Sequence, residues 1–251
     1  MIFDQSGYRC RLEWGWQGAK SAAERDDILV VVDTLRFSTT VVTALHYGAT
    51  IAPCANVEEM IELAGAEGAE TAYKPTEGAR FSLSPLSFIG VAPGVRVAMA
   101  SPNGATCCRY GREAPALFVG TLLNAAAVAK AVTRLLVKTE NSVSVIACGE
   151  RWTTPNEDGA LRFAIEDYLG AGAILSEIPC SQSPEARLCA LAFQQAKPEL
   201  ETLLCECGSG RELIERREKE DVLHAAQLNK YTVVPILREG WLVPYKQGED
   251  F

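Results

Sequence analysis

The chain has 251 residues, with 24 Lys+Arg against 32 Asp+Glu, a formal net charge of −8 and a sequence pI near 5.0. That balance, without a basic cluster, excludes sequence-independent nucleic-acid binding, which depends on neutralising phosphates. Only two histidines, His46 and His224, accompany nine cysteines that form no C-x-x-C pair. A Cys/His zinc centre is therefore unsupported, and any metal is expected to be a hard one held by carboxylates.

Residues 8–14 alternate weakly and predict an opening strand. After the turn-like Glu24-Arg25-Asp26-Asp27, the unbroken run Ile28–Val32 ends at Asp33, the pattern of a strand buried on both faces of a parallel sheet. A helix follows over 37–47, closed by Gly48. Strands are predicted at 50–53, 95–100, 117–119, 143–148 and 232–237, and helices over 57–67, 122–137, 161–174, 184–196, 211–217 and 221–228. Residues 74–94, rich in Gly, Pro and Ser, read as a loop and a candidate lid. The alternation predicts an α/β fold, a three-layer α/β/α arrangement around a largely parallel or mixed sheet, in a single domain over 1–251 with room for two lobes. The Ala-rich helix after Asn124 suits either the core or a second subunit, so a homo-oligomer stays open.

The cysteines, odd in number and irregularly spaced, read as reduced thiols acting mainly as small buried hydrophobes. Both histidines read as structural. The first residues show no basic region followed by an apolar stretch, and the apolar runs fall short of the ~20 residues of a membrane helix. A cytoplasmic protein with no membrane partner is expected.

In open α/β sheets ligands sit beyond the carboxyl ends of strands, which directs attention to four places. In Asp33-Thr34-Leu35-Arg36-Phe37-Ser38-Thr39-Thr40, an acid leaves the strand, an arginine follows, and hydroxyls open a helix. Free N–H groups and the hydroxyls of Ser38, Thr39 and Thr40 would cradle an anion there, with the Arg36 fork beside them. A plain helix cap with an Asp–Arg ion pair is the alternative. Ser101-Pro102-Asn103-Gly104 is either a second cradle or merely a turn into the next helix. After strand 143–148, Gly149-Glu150-Arg151-Trp152 precedes Asn156-Glu157-Asp158 and the paired acids Glu166-Asp167. These acids serve either metal and acid–base chemistry or a charged helix face. Gly120-Thr121-Leu122-Leu123-Asn124 reads as the cap of the following helix.

No G-x-x-x-x-G-K-[ST] or G-x-G-x-x-G sequence is present. The haloacid-dehalogenase pattern fails because Leu35 stands where its second aspartate belongs. Cys205-Glu206-Cys207-Gly208-Ser209-Gly210-Arg211 is similar to the phosphate loop of protein tyrosine phosphatases, with Cys205 as nucleophile and Arg211 gripping phosphate. Leu204 stands where that family has histidine, and Pro198 with Gly208 frames a helix instead.

Together the four places resemble the 2-phosphosulfolactate phosphatase family of coenzyme M biosynthesis. The resemblance runs through Val32 to Thr40, Ser101-Pro102-Asn103-Gly104, Gly120-Thr121-Leu122-Leu123-Asn124-Ala125 and Glu166-Asp167-Tyr168-Leu169-Gly170-Ala171-Gly172-Ala173. Gly210-Arg211-Glu212-Leu213, Glu220-Asp221-Val222 and Val234-Pro235 follow in family order. Departures fall at Thr71-Ala72-Tyr73-Lys74, Leu83-Ser84-Pro85 and Ser101-Pro102, and the Gly149-Glu150-Arg151-Trp152 stretch resembles a bacterial subgroup. The resemblance implies a Mg²⁺-dependent phosphomonoester hydrolase that releases sulfolactate and phosphate from 2-phosphosulfolactate. Asp33 is the first expected Mg²⁺ ligand, with Glu166 or Asp167 as a second ligand or the base. Ser38, Thr39, Thr40, Ser101, Asn103 and Gly104 are the expected phosphate cradle. Arg36 is expected to stabilise transition-state charge, and Arg80 or Arg151 to grip a sulfonate or carboxylate. A small-anion binding protein without turnover is the reading from a different class.

Overall fold

Side chains of a strand leave alternately on its two sides, so the apolar run of β2 (Ile28–Val32) requires cover on both. In the computed structural model, which describes residues 4–73, 80–156, 159–246 and 248, it has that cover. Ile28, Val30 and Val32 enter one core cluster, while Leu29 and Val31 enter the other. β2 belongs to a ten-stranded sheet with β1 (Cys10–Trp14), β3 (Thr50–Cys54), β4 (Glu70–Tyr73), β5 (Phe81–Ser82), β6 (Arg96–Ala100), β7 (Leu117–Val119), β8 (Val143–Ala147), β11 (Pro235–Arg238) and β12 (Trp241–Pro244). Their order is β1-β8-β2-β7-β11-β12-β3-β6-β4-β5. The two outer groups, β1-β8-β2-β7 and β3-β6-β4-β5, are parallel. The hairpin β11–β12 joins them by antiparallel pairing on each side. A separate antiparallel ribbon is made by β9 (Glu150–Asn156) and β10 (Gly159–Arg162).

Helices α1 (Gly15–Glu24), α2 (Phe37–His46) and α4 (Gly104–Gly111) supply the core on one face, through Ala19, Ala22, Phe37, Val41 and Cys108. On the other, α5 (Ala125–Lys138), α6 (Ile165–Leu175) and α7 (Pro184–Ala196) bring Val128, Val132, Leu169, Ile174 and Phe193. α3 (Val57–Glu67) covers β3 and β6 through Met60 and Ala64. The short helices α8 (Leu200–Glu206), α9 (Gly208–Glu215) and α10 (Lys219–Ala225) extend the second face with Leu204, Leu213 and Val222. The α/β expectation holds, with helical layers on a mixed, mostly parallel sheet. Among the described residues no helix is long and apolar enough to cross a membrane.

Several boundaries differ from expectation for identifiable reasons. The helix expected from residue 161 begins at Ile165, because 159–162 pairs with the preceding strand. Leu161 and Phe163, which mimic a helical apolar face in sequence, are exposed. α1 is unannounced because its buried side is Gly15, Gly18, Ala19, Ala22 and Ala23, a face too small to give a hydrophobic period. Of the loop expected at 74–94, residues 74–79 lie outside the described residues. From residue 80 onward the chain is anchored, with Phe81 and Phe88 buried and stacked at 4.7 Å. The expectation of uniformly reduced cysteines is corrected at Cys10 and Cys180, which form a disulfide. Cys10 donates its amide to Ser181 O and accepts from Ser183 N, so pairing across 170 positions brings the thiols together. No local spacing reports it.

A buried ionic knot ties β1, β2 and β8. Asp27 accepts both contacts of Arg11 Nη1, at 2.8 and 2.9 Å, and those of Arg25 Nη2 and Ser144 Oγ at 3.2 and 2.7 Å. Breaking a buried pair from one side strands the other charge. Asp27→Ala should therefore cost about 3–5 kcal/mol in urea unfolding, and a loss below ~1 kcal/mol would contradict this account.

His224 is also buried, its Nε2 3.0 Å from Thr43 Oγ1. Burial, with Lys230 acting the same way, pushes its ring down to about 4 from 6.5. The unfolded chain thus binds a proton below pH 6.5 that the folded chain refuses until about pH 4. The stability this supplies is full above pH 6.5 and is lost as pH falls toward 4. Between pH 7 and 5 the native chain should lose about 2 kcal/mol more unfolding free energy than His224→Gln, and equal losses would contradict it.

Candidate active site

The chain leaves β2 at Asp33, a carboxylate only 5% exposed. Its Oδ1 accepts Phe37 N–H at 3.1 Å, and its Oδ2 accepts Gly104 N–H at 2.8 Å. These bonds join the first turn of α2 to the turn after β6. That approach depends on Gly104, where a Cβ would meet Asp33 Oδ2 at 2.8 Å and the Phe37 ring at 2.2 Å. Asp167, at the start of α6, makes the matching junction: Oδ1 accepts Thr34 N–H at 2.7 Å and Oδ2 accepts Gly149 N–H at 2.8 Å. α6 comes this close to the loop after β2 because Gly170 faces Thr34, where a Cβ would lie 2.5 Å from Oγ1.

Glu166 and Glu150 complete an acidic group around Asp33. Glu150 accepts Asn103 Nδ2–H at 3.2 Å, and Glu166 is 3% exposed. Burial, then the charge of Glu150, pushes the Asp33 carboxyl up to about 7. Burial also holds Asp167 well above the usual carboxylate range, helped by the charges of Asp33 and Glu166, and it raises Glu150. Nothing cationic among the described residues is bonded to Asp33 or Asp167. A cation would therefore relieve both the desolvation and the mutual repulsion. The donors are hard oxygens, which fit Mg²⁺ or Mn²⁺ rather than zinc. Among the described residues no three acid, cysteine or histidine side chains stand as a preformed cage. That suits an ion held by one or two carboxylates, waters and a ligand phosphate, as Mg²⁺ commonly is.

Above these acids opens a cavity of about 550 Å³, lined by Asp33, Arg36, Asn103, Glu150, Ser209 and Glu218 among others. Arg36 is tethered at Nη1 by Asp221 and by Glu218, the latter at 3.1 Å. Asp221 also accepts Ser84 Oγ–H at 2.6 Å, and burial raises its carboxyl despite both partners. Both tethers use Nη1, so the rest of the guanidinium can face the cavity.

The sequence-predicted residues divide into two groups. Asp33, Arg36, Ser101, Asn103 and Gly104 converge, with Glu166 and Asp167 packed beside them. The hydroxyls of Ser38, Thr39 and Thr40 are wholly buried and bonded within the protein. Ser38 Oγ accepts from Asp33 N, Thr39 Oγ1 donates to Thr34 O, and Thr40 Oγ1 donates to Leu83 O. They brace the loop. Arg80 is exposed and paired with Glu70 at 2.6 Å, away from the cavity lining. Arg151 donates to Pro102 O at the rim. Glu157 and Asp158 lie outside the described residues. The predicted helix cap at Thr121 is present, its N–H donating to Asn124 Oδ1 at 3.0 Å.

The cysteine motif does not form a loop. Cys205 lies on α8 and Arg211, exposed, on α9, and Gly208 opens α9 rather than stopping α8. Cys207 caps α9, accepting Gly210 N–H at 3.3 Å, and burial followed by the charge of Glu166 pushes its thiol up to about 12. A thiol so protonated is a poor nucleophile. Glu150, Asp221 and Ser209 were not anticipated as site residues. Glu150 carried a signal, an acid just past a strand end, whereas the other two are brought in by helices late in the chain.

A sequence model of a family described as 2-phosphosulpholactate phosphatase matches residues 17–240. A Carboxydothermus hydrogenoformans protein named probable 2-phosphosulfolactate phosphatase is 32% identical over 228 residues, covering 87% of this chain and 90% of that protein. A Symbiobacterium thermophilum protein of the same name is 28% identical over 230 residues, 86% of this chain and 93% of its own. One from Gloeobacter violaceus, again so named, is 27% identical over 218 residues, 83% and 87% respectively.

If the Gly104 contact sets the position of Asp33, Gly104→Ala must displace Phe37 or the carboxylate. Overpacking of this kind should lower unfolding free energy by about 1–3 kcal/mol, and an unchanged urea midpoint would show that the contact has slack.

Proposed function

Because the chain belongs to the 2-phosphosulfolactate phosphatase family, we propose that it hydrolyses the phosphate monoester of a small sulfonated 2-hydroxy acid, 2-phosphosulfolactate, to sulfolactate and phosphate with a divalent cation. The observation that carries this reading is Asp33, fixed by two backbone N–H groups at the wall of a cavity it shares with Glu150 and Arg36.

In this reading Asp33 and Glu166 would hold Mg²⁺, which would supply Lewis-acid stabilisation of the phosphoryl oxygens and a more acidic water. Phosphate monoesters hydrolyse extremely slowly unaided, so stabilising charge on phosphorus-bound oxygens must account for most of the acceleration. The free N–H groups of Arg36 face that charge, and the Asp221 and Glu218 tethers keep the guanidinium from swinging away. Asn103 and Ser101 line the opposite side. Water attacks phosphorus as the ester P–O bond breaks, and one of its protons ends on the hydroxyl of the departing 2-hydroxy acid. Glu150, at the cavity wall, relays that proton. Asp167 does not touch substrate; it positions the loops after β2 and β8 by accepting Thr34 and Gly149 N–H.

Phosphate release from 2-phosphosulfolactate, measured with and without Mg²⁺, tests the proposal. Chelation should abolish release and added Mg²⁺ restore it. Asp33→Asn should lose at least about 100-fold in kcat/KM while remaining folded by circular dichroism. Cys205→Ser should lose little. Full activity in Asp33→Asn, or loss only in Cys205→Ser, would overturn the assignment, and saturable binding without release would identify a binding protein.

A further inference from the structure

Where the β9–β10 ribbon meets α1 and α4, the chain exposes an aromatic surface that the phosphatase reading does not use. Phe163 is 57% exposed, Leu161 47%, Tyr110 42% and Trp16 38%. The four side chains form one run. Trp16 and Tyr110 pack with ring centroids 4.7 Å apart, and Trp16 and Leu161 line the same small hollow of about 60 Å³. A Cβ on Gly149 would touch both Leu161 and Trp14, and Phe163 packs on Trp14 at 5.1 Å and on Tyr168 at 5.5 Å. Half-buried aromatics thus back the exposed ones.

Single exposed apolar side chains are ordinary, whereas a contiguous patch of several hundred Å² marks a contact surface. At roughly 200 Å² for each large side chain, these exposures leave about 400 Å² of apolar surface in water. One face of a standard dimer buries about 800 Å², of which about 65% is apolar when the partners are identical. The four side chains supply most of that apolar share, and Trp14 and Tyr168 extend it. A two-stranded ribbon is also marginal by itself and gains from cover on its open side.

Charge selects the occupant. Two chains of net charge −8 repel, so a face that joins them needs a rim of the opposite sign. The charged groups flanking the run are cationic: Lys20 one turn from Trp16, Arg109 beside Tyr110, and Arg151 across the ribbon from Leu161. Helix α5 is the poorer choice. Its exposed Val137 stands among Lys130, Arg134 and Lys138, and a two-fold axis there would set these cations against their own copies.

We propose that the run Tyr110, Trp16, Leu161 and Phe163 is the interface of a two-fold dimer, covered by the same run of a second copy of this chain. A two-fold contact must be self-complementary, and aromatic side chains meet that demand by packing on their own counterparts. The cationic rim then faces the acidic remainder of the mate. None of the four side chains lines the 550 Å³ cavity, so the joined faces leave its mouth free. They do cover the ribbon that carries Glu150 and the helix whose first residue, Gly104, meets Asp33. The dimer does not depend on the phosphatase reading.

Sedimentation velocity of the intact chain over a concentration series tests this. The native protein should sediment as a dimer of 27.1 kDa chains, with a dissociation constant below about 10 µM. Phe163→Glu and Trp16→Glu, on separate elements, should each raise that constant at least about 100-fold, because every substitution acts twice across the axis. Circular dichroism should keep its native form in both, and Tyr110→Glu replaces whichever variant fails that check. Leu188→Glu, at an exposed position on α7, should leave the dimer intact. A native chain still monomeric at about 100 µM overturns the proposal, whether or not the run then binds lipid vesicles or a different protein. A dimer that survives both substitutions in the run, or one that dissociates only with Leu188→Glu, overturns it too. If the chain dimerises as stated but releases no phosphate, the phosphatase reading fails and the dimer stands.

Discussion

Two carboxylates, Asp33 and Asp167, are taken out of water at the end of β2, and each is solvated by two backbone N–H groups instead. Those donors come from the turns after β2, β6 and β8, so a single pair of acids holds in register loops that are distant in sequence. The arrangement is costly to the fold alone. Burial and mutual repulsion hold both carboxyls above their ordinary range, and Glu150 and Glu166 add to the repulsion. In the proposed reading, that cost is offset by a site where a positive charge and a phosphoryl group would be welcome.

The rest of the architecture brings these loops together. β2 needs cover on both faces, and the turn after β6 answers by leaving its own strand and sending α4 across the sheet. There Gly111 packs against Leu29 and Leu117 while Gly104 reaches Asp33. On the opposite face, α6 runs close enough to place Asp167 because small residues line its contacts: Gly170 faces Thr34, and Gly172 faces the Cys189 backbone and Phe193. The hairpin β11–β12 completes the sheet between its parallel halves. Packing and site are thus one problem, since the same glycines that let the helices approach also set the carboxylates.

Asp33, Arg36 and Asn103-Gly104 were legible in the sequence because each follows a strongly apolar strand, and the ends of such strands are where ligands gather. The hydroxyl run at Ser38, Thr39 and Thr40 was equally visible but misleading. Its side chains close local hydrogen bonds that brace the loop, a use no spacing distinguishes from ligand binding. Asp221 and Ser209 were silent. The partner of Asp221, Arg36, lies far away in sequence and Ser209 Oγ has none, so only the packing of α9 and α10 delivers these residues. The C-x-x-G-x-G-R pattern shows the limit from the other side, since the capping geometry of Cys207 divides it between two helices. The Cys10–Cys180 pairing likewise depends on a contact made only once β1 is laid beside residues 181–183.

The central claim is that the buried acids await a divalent cation. If so, they destabilise the metal-free fold and the ion removes that penalty. The most direct measurement is the melting temperature as MgCl₂ is added at constant ionic strength, for the native chain and Asp33→Asn. The account predicts a saturable rise for the native chain, following the ligand-linkage relation, and none for the variant. A native melting temperature indifferent to Mg²⁺, or the same rise in both chains, would contradict it.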